Sequence, residues 1–407
     1  MLDLLIALRN LSRNRSRSGL SLCAIVFGVV ALLLSGGFIQ WVFLDMRETT
    51  ILSRLGHLQI AKPGFLTGGA ADPFAFLLST DAKEIAFLSE RTEVRMVTSR
   101  LKFAGLISHG EATISFLAEG VEPEKELSVS QQLNISQGQN LSSQDPKGII
   151  IGEGLAANLE LKLGDRVILL GTTDSGGINA VECHVRGLFY TTSKAFDDIF
   201  LRLPIATARE LLRTAGSHTW VVLLSDTQDT DTVVDAARKQ FSQRKIGLEV
   251  IPWSTQADFY HSTVKLFSRQ FGIVQFIIAM IIVLSISNMM TMSVLERTGE
   301  IGTLMAMGTT RQRIMGSFVL EGLLLGVVGA TTGLILGTIL AQIISSLGIP
   351  MPPAPGMTRG FTAQILVTPQ LAISAASISI ITSVVASLYP SWKASRLEIV
   401  NAIRHNR

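Results

Sequence analysis

Four long tracts without a charged residue decide what kind of chain this sequence can form. They run from Ser18 to Leu44, from Gln270 to Leu295, from Gly322 to about Leu347 and from about Ile365 to Trp392. A helix needs about 20 residues to cross the roughly 30 Å hydrocarbon core of a bilayer, and each tract is long enough. With 47% hydrophobic and only 16% charged residues, the 407-residue chain is too apolar for a soluble protein. We therefore predict a membrane protein with four transmembrane α-helices.

Basic residues predict which side of the membrane each segment faces. They cluster before the first tract, between the second and third, and after the fourth: Arg9, Arg13, Arg15, Arg17, Arg297, Arg311, Arg313, Lys393, Arg396, Arg404 and Arg407. The loop between the third and fourth tracts carries only Arg359. By the positive-inside rule, both termini and the segment 296–313 are cytoplasmic, and the stretch 45–268 lies on the opposite side. A cleaved signal peptide is the alternative for the first tract, but its 27 uncharged residues exceed a usual signal core.

The predicted organisation follows from these tracts. Residues 1–17 are apolar early and basic late, which predicts a short helix in the cytoplasmic interface. The Pro-rich loop has two open readings, a plain connector or a lip facing substrate. The predicted segments are the interfacial helix 1–17, spans 18–44, 269–295, 314–347 and 365–392, outer domain 45–268, cytoplasmic segment 296–313, Pro-rich outer loop 348–364 and cytoplasmic tail 393–407.

The outer domain has a mixed α+β pattern. Short β-type runs occur at 56–60, 147–152, 165–171, 181–190, 219–224 and 247–251, and helical spacing occurs at 153–161, 207–215 and 231–245. The run 255–276 then changes from amphipathic to fully apolar without a helix-breaking pair of residues. We expect a large α+β domain that ends in a stalk helix continuous with the second span.

The sequence offers little chemistry of its own. It contains no Gly-Lys dipeptide, so it lacks the phosphate-binding loop of P-loop ATPases. The run Leu34-Ser35-Gly36-Gly37 matches part of an ATPase signature, but inside an apolar span it is better explained by small-residue packing. The six histidines and two cysteines have no metal-ligand spacing, and Asp197-Asp198 reads as solvated loop charge. We expect no catalytic residue, cofactor or metal in this chain and no nucleic-acid partner, so a stand-alone enzyme is the weaker class.

Small residues in the third span are more informative. Gly329, Gly333, Gly337 and Ala341 recur every four residues and form one flat ridge on a helix. Such ridges let membrane helices approach closely. Packing within the chain and a sliding interface between subunits are both open. Glu321 is costly at membrane depth unless it is paired, which predicts a position at the cytoplasmic boundary close to Arg297 or Arg313.

The segment between the second and third spans predicts a short exposed helix. Thr298 can cap its start, Glu300 falls in the first turn and Gly308 is placed to end it. Ile301, Leu304 and Met305 share one face. An apolar face on so short a helix favours a protein partner; folding back onto the membrane surface is the alternative.

These residues also carry a resemblance. ERTGEIGTLMAMGTTRQRI (296–314) resembles the E-R-x-x-E-I-G-x-x-x-A-x-G segment of the FtsX and MacB-like permease family, which includes permeases of the lipoprotein-releasing LolC/LolE type. SLYPSWKASRLEIVNAIR (387–404) is similar to the family's C-terminal ending, although Leu397-Glu398-Ile399 stands where a proline is usual. The stretch 149–169 is similar to the family's outer domain, and the first residues resemble its N-terminus.

The resemblance implies a four-span permease subunit of a mechanotransmission-type ABC transporter in the bacterial inner membrane. It implies that a coupling helix docks on a separate ATPase, which works as a dimer and binds ATP and Mg. Further implied partners are a second permease copy or a homologous permease, a periplasmic lipoprotein carrier or adaptor, and membrane lipid. The implied coupling residues are Glu296, Arg297, Glu300, Ile301, Gly302, Leu304, Met305 and Gly308.

Three functions are compatible with this resemblance. The leading hypothesis is extraction of a lipoprotein or another amphipathic substrate from the inner membrane. The first alternative is MacB-like export of peptides or small molecules through an outer-membrane duct, although this sequence shows no ATPase domain ahead of its first span. The second alternative is FtsX-like signalling to a periplasmic hydrolase, which the large outer domain disfavours.

Overall fold

The computed structural model of the protein describes residues 15–69, 71–79, 85–129, 133–191, 193–352 and 360–396. The chain divides into two compact units. The membrane unit comprises Met1–Leu44, Ser262–Pro350 and Thr362–Arg407, and the α+β unit comprises Asp45–His261 and Met351–Phe361. Most of the predicted interfacial helix, the centre of the Pro-rich loop and most of the cytoplasmic tail lie outside the described residues.

The helices include those expected to cross the membrane. In chain order the α-helices are α1 (Arg15–Thr50), α2 (Phe65–Gly68), α3 (Ala86–Ser89), α4 (Pro123–Val129), α5 (Glu153–Asn158), α6 (Lys194–Asp197), α7 (Ile205–Leu212), α8 (Thr230–Arg244), α9 (Asp258–Glu296), α10 (Thr298–Ala306), α11 (Arg311–Leu347) and α12 (Pro369–Ser395). A π-helical turn, Ile51–Leu55, follows α1 directly. Among the described residues, four helices are long and apolar enough to span a bilayer: α1 with its π-helical turn, α9, α11 and α12. The predicted four-span architecture is confirmed.

Helices α1, α9 and α11 extend beyond the apolar tracts that predict them, whereas α12 begins and ends a few residues later than its tract. Helix α9 is continuous from Asp258, so the run at 255–276 joins the second span without a break, as the absence of helix-breaking residues predicts. Helix α12 contains Pro390, which has no N–H to donate to the carbonyl of Ala386 one turn earlier. The hydroxyl of Ser287 on α9 donates to that carbonyl at 2.9 Å. Two helices are thereby joined at the point where one of them lacks its own hydrogen bond.

The α+β unit is built on one large sheet. Its strands are β1 (Leu58–Ala61), β2 (Val94–His109), β3 (Ala112–Val121), β4 (Asn134–Gly138), β5 (Gly148–Gly152), β6 (Arg166–Thr172), β7 (Ile178–Tyr190), β8 (Phe200–Pro204), β9 (Thr219–Leu224) and β10 (Glu249–Pro252). The order is β10-β1-β9-β2-β3-β8-β5-β7-β4, and β6 pairs with β2 and β7. A short two-stranded sheet, β11 (Ile349–Met351) with β12 (Phe361–Ala363), flanks the Pro-rich loop.

Strand β2 connects the two halves of this sheet. Its first part pairs antiparallel with β9, and its second part pairs with β3 and β6. Buried apolar side chains form one cluster around β1, β9 and α8, which includes Trp220 and Phe241. A second cluster surrounds β2, β6 and α7 and includes Phe116 and Leu211. The predicted α+β class is confirmed, and the two largest hydrophobic clusters of the unit both involve residues of β2.

The strands of the large sheet that the sequence prediction missed are β2, β3, β4 and β8. Three of them carry a buried charged residue: Arg100 on β2, Glu119 on β3 and Arg202 on β8. A charged residue at an inward position breaks the alternation by which a half-buried strand is recognised. The solvated reading of Asp197 is also wrong. Its carboxylate is buried and accepts hydrogen bonds from the backbone N–H and the hydroxyl of Thr191.

Candidate functional site

Helix α10 has the predicted length and the predicted end. Gly308 adopts a φ of 91°, a left-handed conformation that glycine tolerates without strain. The N–H of Gly308 donates to the carbonyl of Met305 at 3.0 Å, and the N–H of Thr309 donates to that of Leu304 at 3.0 Å. This pair of bonds is a Schellman motif, which satisfies two carbonyls at the helix end. The sequence prediction that Gly308 terminates the helix is confirmed.

The start of α10 differs from the prediction. Thr298 does not cap the helix, because its hydroxyl donates to the carbonyls of Val294 and Leu295 at the end of α9. Arg297 occupies the capping position and makes no side-chain cap. Glu300 lies in the first turn as predicted. Thr298 therefore tightens the bend between α9 and α10 instead of initiating α10.

Arg297 anchors this bend to α11. Its guanidinium donates to Glu321 at 3.0 Å and to Glu300 at 3.3 Å, and it lies 5.5 Å from the centre of the Phe318 ring. The Glu321 side chain is 5% exposed, so this ion pair is largely buried. The predicted proximity of Glu321 to Arg297 is confirmed. Arg297, one of the implied coupling residues, is held within its own chain by these contacts.

The apolar residues of α10 divide between two sides. Ile301 and Gly302 are buried, and Met305 packs in part against the core of the membrane unit. Leu304 is 42% exposed, and Met307, which the sequence prediction left out, is 71% exposed. Ile301 and Met305 therefore fasten the helix, and the predicted outward role for Ile301 is wrong. The exposed residues of α10 are Glu300, Thr303, Leu304 and Ala306; Met307 is exposed directly after the helix, and Glu296 is exposed shortly before it.

The glycine ridge of α11 packs against α1. A Cβ atom at Gly329 would lie 2.6 Å from Ile25, one at Gly333 would lie 2.7 Å from Val29, and one at Gly337 would lie 2.7 Å from Leu33; contacts under 3.0 Å essentially never occur. The three facing side chains are fully buried: Ile25, Val29 and Leu33. Of the two readings left open by the sequence, packing within the chain is the one that the structure supports.

Other small residues make similar contacts. At Gly322 of α11 a Cβ atom would lie 2.6 Å from Ser387 of α12, and the hydroxyl of Ser383 donates to the Gly322 carbonyl at 2.8 Å. At Gly37 of α1 a Cβ atom would lie 3.0 Å from the carbonyl oxygen of Leu366. The reading of the Leu34 to Gly37 run as small-residue packing is confirmed.

In the α+β unit, the end of the first span is fixed by three side chains from three strands. The last carbonyls of the π-helical turn belong to Ser53, Arg54 and Leu55. Arg202 on β8 donates to Ser53 at 3.1 Å, Arg100 on β2 donates to Arg54, and Gln59 on β1 donates to Leu55 at 2.9 Å. Carbonyls at a helix C-terminus lack partners and carry partial negative charge, so two guanidinium groups satisfy and stabilise them.

Two buried glutamates hold these arginines. Arg100 contacts Glu126 at 2.5 Å and Glu119 at 3.7 Å, and Arg202 contacts Glu119 at 3.2 Å and Glu126 at 3.4 Å. All four side chains are at most 6% exposed. Burial alone would raise the pKa of Glu119, but the two arginines lower it to about 2. Glu119 is thus ionised near neutral pH, and we call the cluster of Arg100, Arg202, Glu119 and Glu126 the arginine clamp.

A histidine supports the same helix. The N–H of Leu224 donates to Nδ1 of buried His57, so the ring proton is on Nε2, which contacts the hydroxyl of Thr227 at 3.1 Å. That hydroxyl donates to Glu48 of α1 at 3.1 Å. Burial lowers the pKa of His57 to about 4, with Glu48 acting in the opposite direction. His57 is therefore neutral, and it depends on that state for its bond from Leu224.

The described residues contain no gathering of three or more histidine, cysteine, aspartate or glutamate side chains able to hold a metal. Cys183 is buried, and burial raises the pKa of its thiol to about 12, which makes it unreactive. Lys147 and Arg166 line an open depression nearby but pair with Glu210 at 2.6 Å and Glu182 at 3.2 Å. The two features that the described residues do show are helix α10, which is anchored to α11, and the end of the π-helical turn, which is held by the arginine clamp.

Two family models match the chain. The MacB-like periplasmic core domain matches residues 18–240, and the FtsX-like permease C-terminal domain matches residues 272–399. Four spanning helices with an α+β domain inserted between the first two define a multi-pass membrane permease. The chain belongs to the FtsX-like, MacB-like family of ABC transporter permeases.

Curated relatives agree with this assignment. An uncharacterised ABC transporter permease of Methanocaldococcus jannaschii is 25% identical over 67% of this chain and 65% of its own length. The macrolide export ATP-binding/permease protein MacB of Hyphomonas neptunium is 28% identical over 98% of this chain and 60% of its own length. The lipoprotein-releasing system transmembrane protein LolC of Haemophilus influenzae is 25% identical over 64% of this chain and 65% of its own length. The chain thus spans less than two thirds of each of these relatives.

Proposed function

We propose that this chain is the membrane subunit of an ABC transporter whose separate ATPase, a dimer, binds ATP and Mg and drives movement of the periplasmic domain. Two permease copies, or this chain and a homologous permease, form the complex in the bacterial inner membrane. Helix α10 and both termini face the cytoplasm, and the α+β unit faces the periplasm. The work performed is release of lipoproteins or another amphipathic substrate from the inner membrane, with a periplasmic carrier or adaptor as acceptor.

The observation that carries the coupling proposal is the geometry of α10. Its inner side is fixed by Ile301 and by the bond from Arg297 to Glu321, while its outer side presents Leu304 and Met307. A short helix held on one side and apolar on the other can transmit displacement from a docked protein to α9 and α11. Exposed ion pairs contribute about 0 to 1 kcal/mol, so the two apolar side chains should dominate docking over Glu300.

The arginine clamp supports the second half of the proposal. A domain that is to be moved by its first span needs a firm attachment to that span. The carbonyls of Ser53, Arg54 and Leu55 accept hydrogen bonds from side chains on three strands of the sheet. A force on the helix end is therefore distributed over the sheet and not over one loop.

The substrate proposal draws on the relatives named for lipoprotein release, LolC and LolE of Haemophilus influenzae, the latter 23% identical over 76% of this chain. Export of a peptide or small molecule is the second candidate, since the macrolide exporter of Hyphomonas neptunium aligns with 98% of the chain. The complex should be reconstituted in proteoliposomes with a lipidated reporter protein and the same reporter without its lipid. ATP-dependent release of only the lipidated form supports the first candidate; stimulation by a macrolide or peptide with no lipidated release supports the second.

Docking is tested with the ATPase that copurifies with the chain from native membranes. We expect Leu304→Ala with Met307→Ala to weaken its retention by roughly 30-fold or more, because a truncated interface anchor costs about 2 kcal/mol or more. Leu340→Ala with Ile343→Ala removes side chains of similar exposure, 40% and 50%, near the other end of α11 and is the matched control. Equal retention by both double variants would show that α10 is only a connector.

A further inference from the structure

One face of α12 remains uncovered along the second half of the helix. Ile381, Val385 and Leu388 are 63%, 53% and 41% exposed, and their spacing of four and three residues puts them on one side. Towards the end of the helix the same side carries Tyr389 and Trp392, which are 66% and 43% exposed. The stripe therefore changes from aliphatic to aromatic along the helix axis.

The aromatic part is an ordered stack. The rings of Tyr389 and Trp392 lie 6.4 Å apart with 27° between their planes, and the guanidinium carbon of Arg396 lies 4.5 Å from the centre of the Trp392 ring. Stacking of this kind fixes the position of the charged group. Tyrosine and tryptophan are enriched at the level of lipid headgroups, where one end of the ring is apolar and the other is wet.

Two cations follow the rings. Lys393 and Arg396 are both exposed, and no carboxylate among the described residues pairs with either of them. Two exposed cations at the end of an apolar stripe, one of them stacked on an aromatic ring, are complementary to an anion that carries its own apolar tail.

We propose that Tyr389, Trp392, Lys393 and Arg396 form a binding site for the headgroup of an anionic phospholipid. The aliphatic stripe of Ile381, Val385 and Leu388 lies alongside its acyl chains, the aromatic pair lies at the level of its glycerol, and the two cations bind its phosphate. The order of aliphatic, aromatic and basic residues along α12 matches the order of these parts in one lipid molecule. A protein partner on this face would need a carboxylate-rich surface set against exposed aliphatic residues.

The site does not depend on the proposed coupling function, so lipid binding is first measured on the full chain without an ATPase. Delipidated protein is incubated in detergent with phosphatidylglycerol or with phosphatidylcholine of the same acyl chains, and bound lipid is counted by native mass spectrometry. We expect the wild type to retain phosphatidylglycerol preferentially. Each basic residue near an anionic surface contributes a factor of roughly five, so Lys393→Gln with Arg396→Gln should reduce that preference roughly 25-fold. Free inorganic phosphate should not displace the lipid, because it lacks the acyl chains that the stripe contacts.

The matched control is Lys265→Gln with Arg269→Gln, which removes one lysine and one arginine from exposed positions of another spanning helix, α9. This variant should keep the preference of the wild type. Equal retention of both lipids by the wild type overturns the proposal. So does an equal loss in both double variants, which would indicate unspecific attraction, and so does displacement by inorganic phosphate. Loss of bound lipid when the copurified ATPase is added would identify the face as a protein interface and would also overturn it.

Discussion

Helix α1 is held in two of its parts by contacts of opposite character. In the membrane unit, Ile25, Val29 and Leu33 fit against glycines of α11, with no charge and no side-chain hydrogen bond involved in these three contacts. In the α+β unit, the carbonyls of Ser53 and Arg54 at the end of the span are held by buried arginines that need buried glutamates in turn. One attachment depends on shape, and the other depends on charge.

The difference follows from the surroundings of each part. Lipid tails are as apolar as leucine, so helices in a bilayer gain little from burying aliphatic surface and associate through close packing. A helix end buried in an α+β domain has carbonyls without intrahelical partners, and these carbonyls need donors from the domain. Glycine permits the close packing, and arginine supplies the hydrogen-bond donors. We therefore expect a different perturbation to weaken each attachment.

The largest effect is expected from the arginine clamp. Arg100→Met leaves Glu126 and Glu119 with less compensation in a buried site, and removal of one partner of a buried ion pair costs about 3 to 5 kcal/mol. Pulse proteolysis of the full chain in urea should report this loss for the α+β unit. The double variant Arg100→Met with Glu126→Met removes the charge and its partner together and should recover much of the stability. If the double variant is as unstable as the single one, packing and not charge holds this helix end.

Acid should loosen the charge-dependent attachment while leaving the other unchanged. The pKa of His57 in the folded protein is lowered to about 4 from 6.5. Its contribution is therefore fully present above pH 6.5 and is lost as the pH falls towards 4, because only the unfolded chain takes up the proton readily. One pKa unit corresponds to 1.36 kcal/mol, so the loss is about 3 kcal/mol. Hydrogen-exchange protection factors, which correct for the slower intrinsic exchange of amides at lower pH, should fall around residues 48–57 across this range and stay constant around residues 25–33.

The control for acid is His57→Gln, whose amide can accept from Leu224 and donate to Thr227 without titrating. It should flatten the pH dependence around residues 48–57. An unchanged profile in this variant would assign the effect to another group, of which His218 is the nearest in character, since burial also lowers its pKa to about 4.

The smallest effect is expected from the shape-dependent attachment. Gly333→Val adds atoms where a Cβ would already lie 2.7 Å from Val29. Helices α1 and α11 must separate slightly, and overpacking of this kind costs about 1 to 3 kcal/mol. Gly316→Val on the same helix is the control, because a Cβ there meets nothing within 4 Å. Thermal unfolding in detergent should separate the two variants; equal melting temperatures would mean that close approach at Gly333 contributes nothing measurable.

The segment 296–313 between the second and third spans was only partly predictable from its sequence. The end of α10 at Gly308 and the pairing of Glu321 with Arg297 were both predictable. Glycine in a left-handed conformation commonly ends a helix, and an acid at membrane depth is costly unless it is paired. The outward surface was not. Heptad-like spacing places Ile301 and Leu304 on one face of an isolated helix, but α10 packs on neighbouring helices, and that packing buries Ile301 and exposes Met307.

The sequence by itself determined the four spans, the inserted α+β domain and the family, because each depends on composition and local pattern over many residues. The tertiary structure alone decided where the buried charges go. Arg100, Glu119 and Arg202 lie on three different strands, up to about a hundred positions apart, and their own sequence neighbourhoods give no sign of one another. Their pairing exists only once the sheet brings the strands together around the carbonyls at the end of the first span. A buried charge therefore interrupts the alternating pattern by which a strand is predicted, and only the fold shows which residue it pairs with.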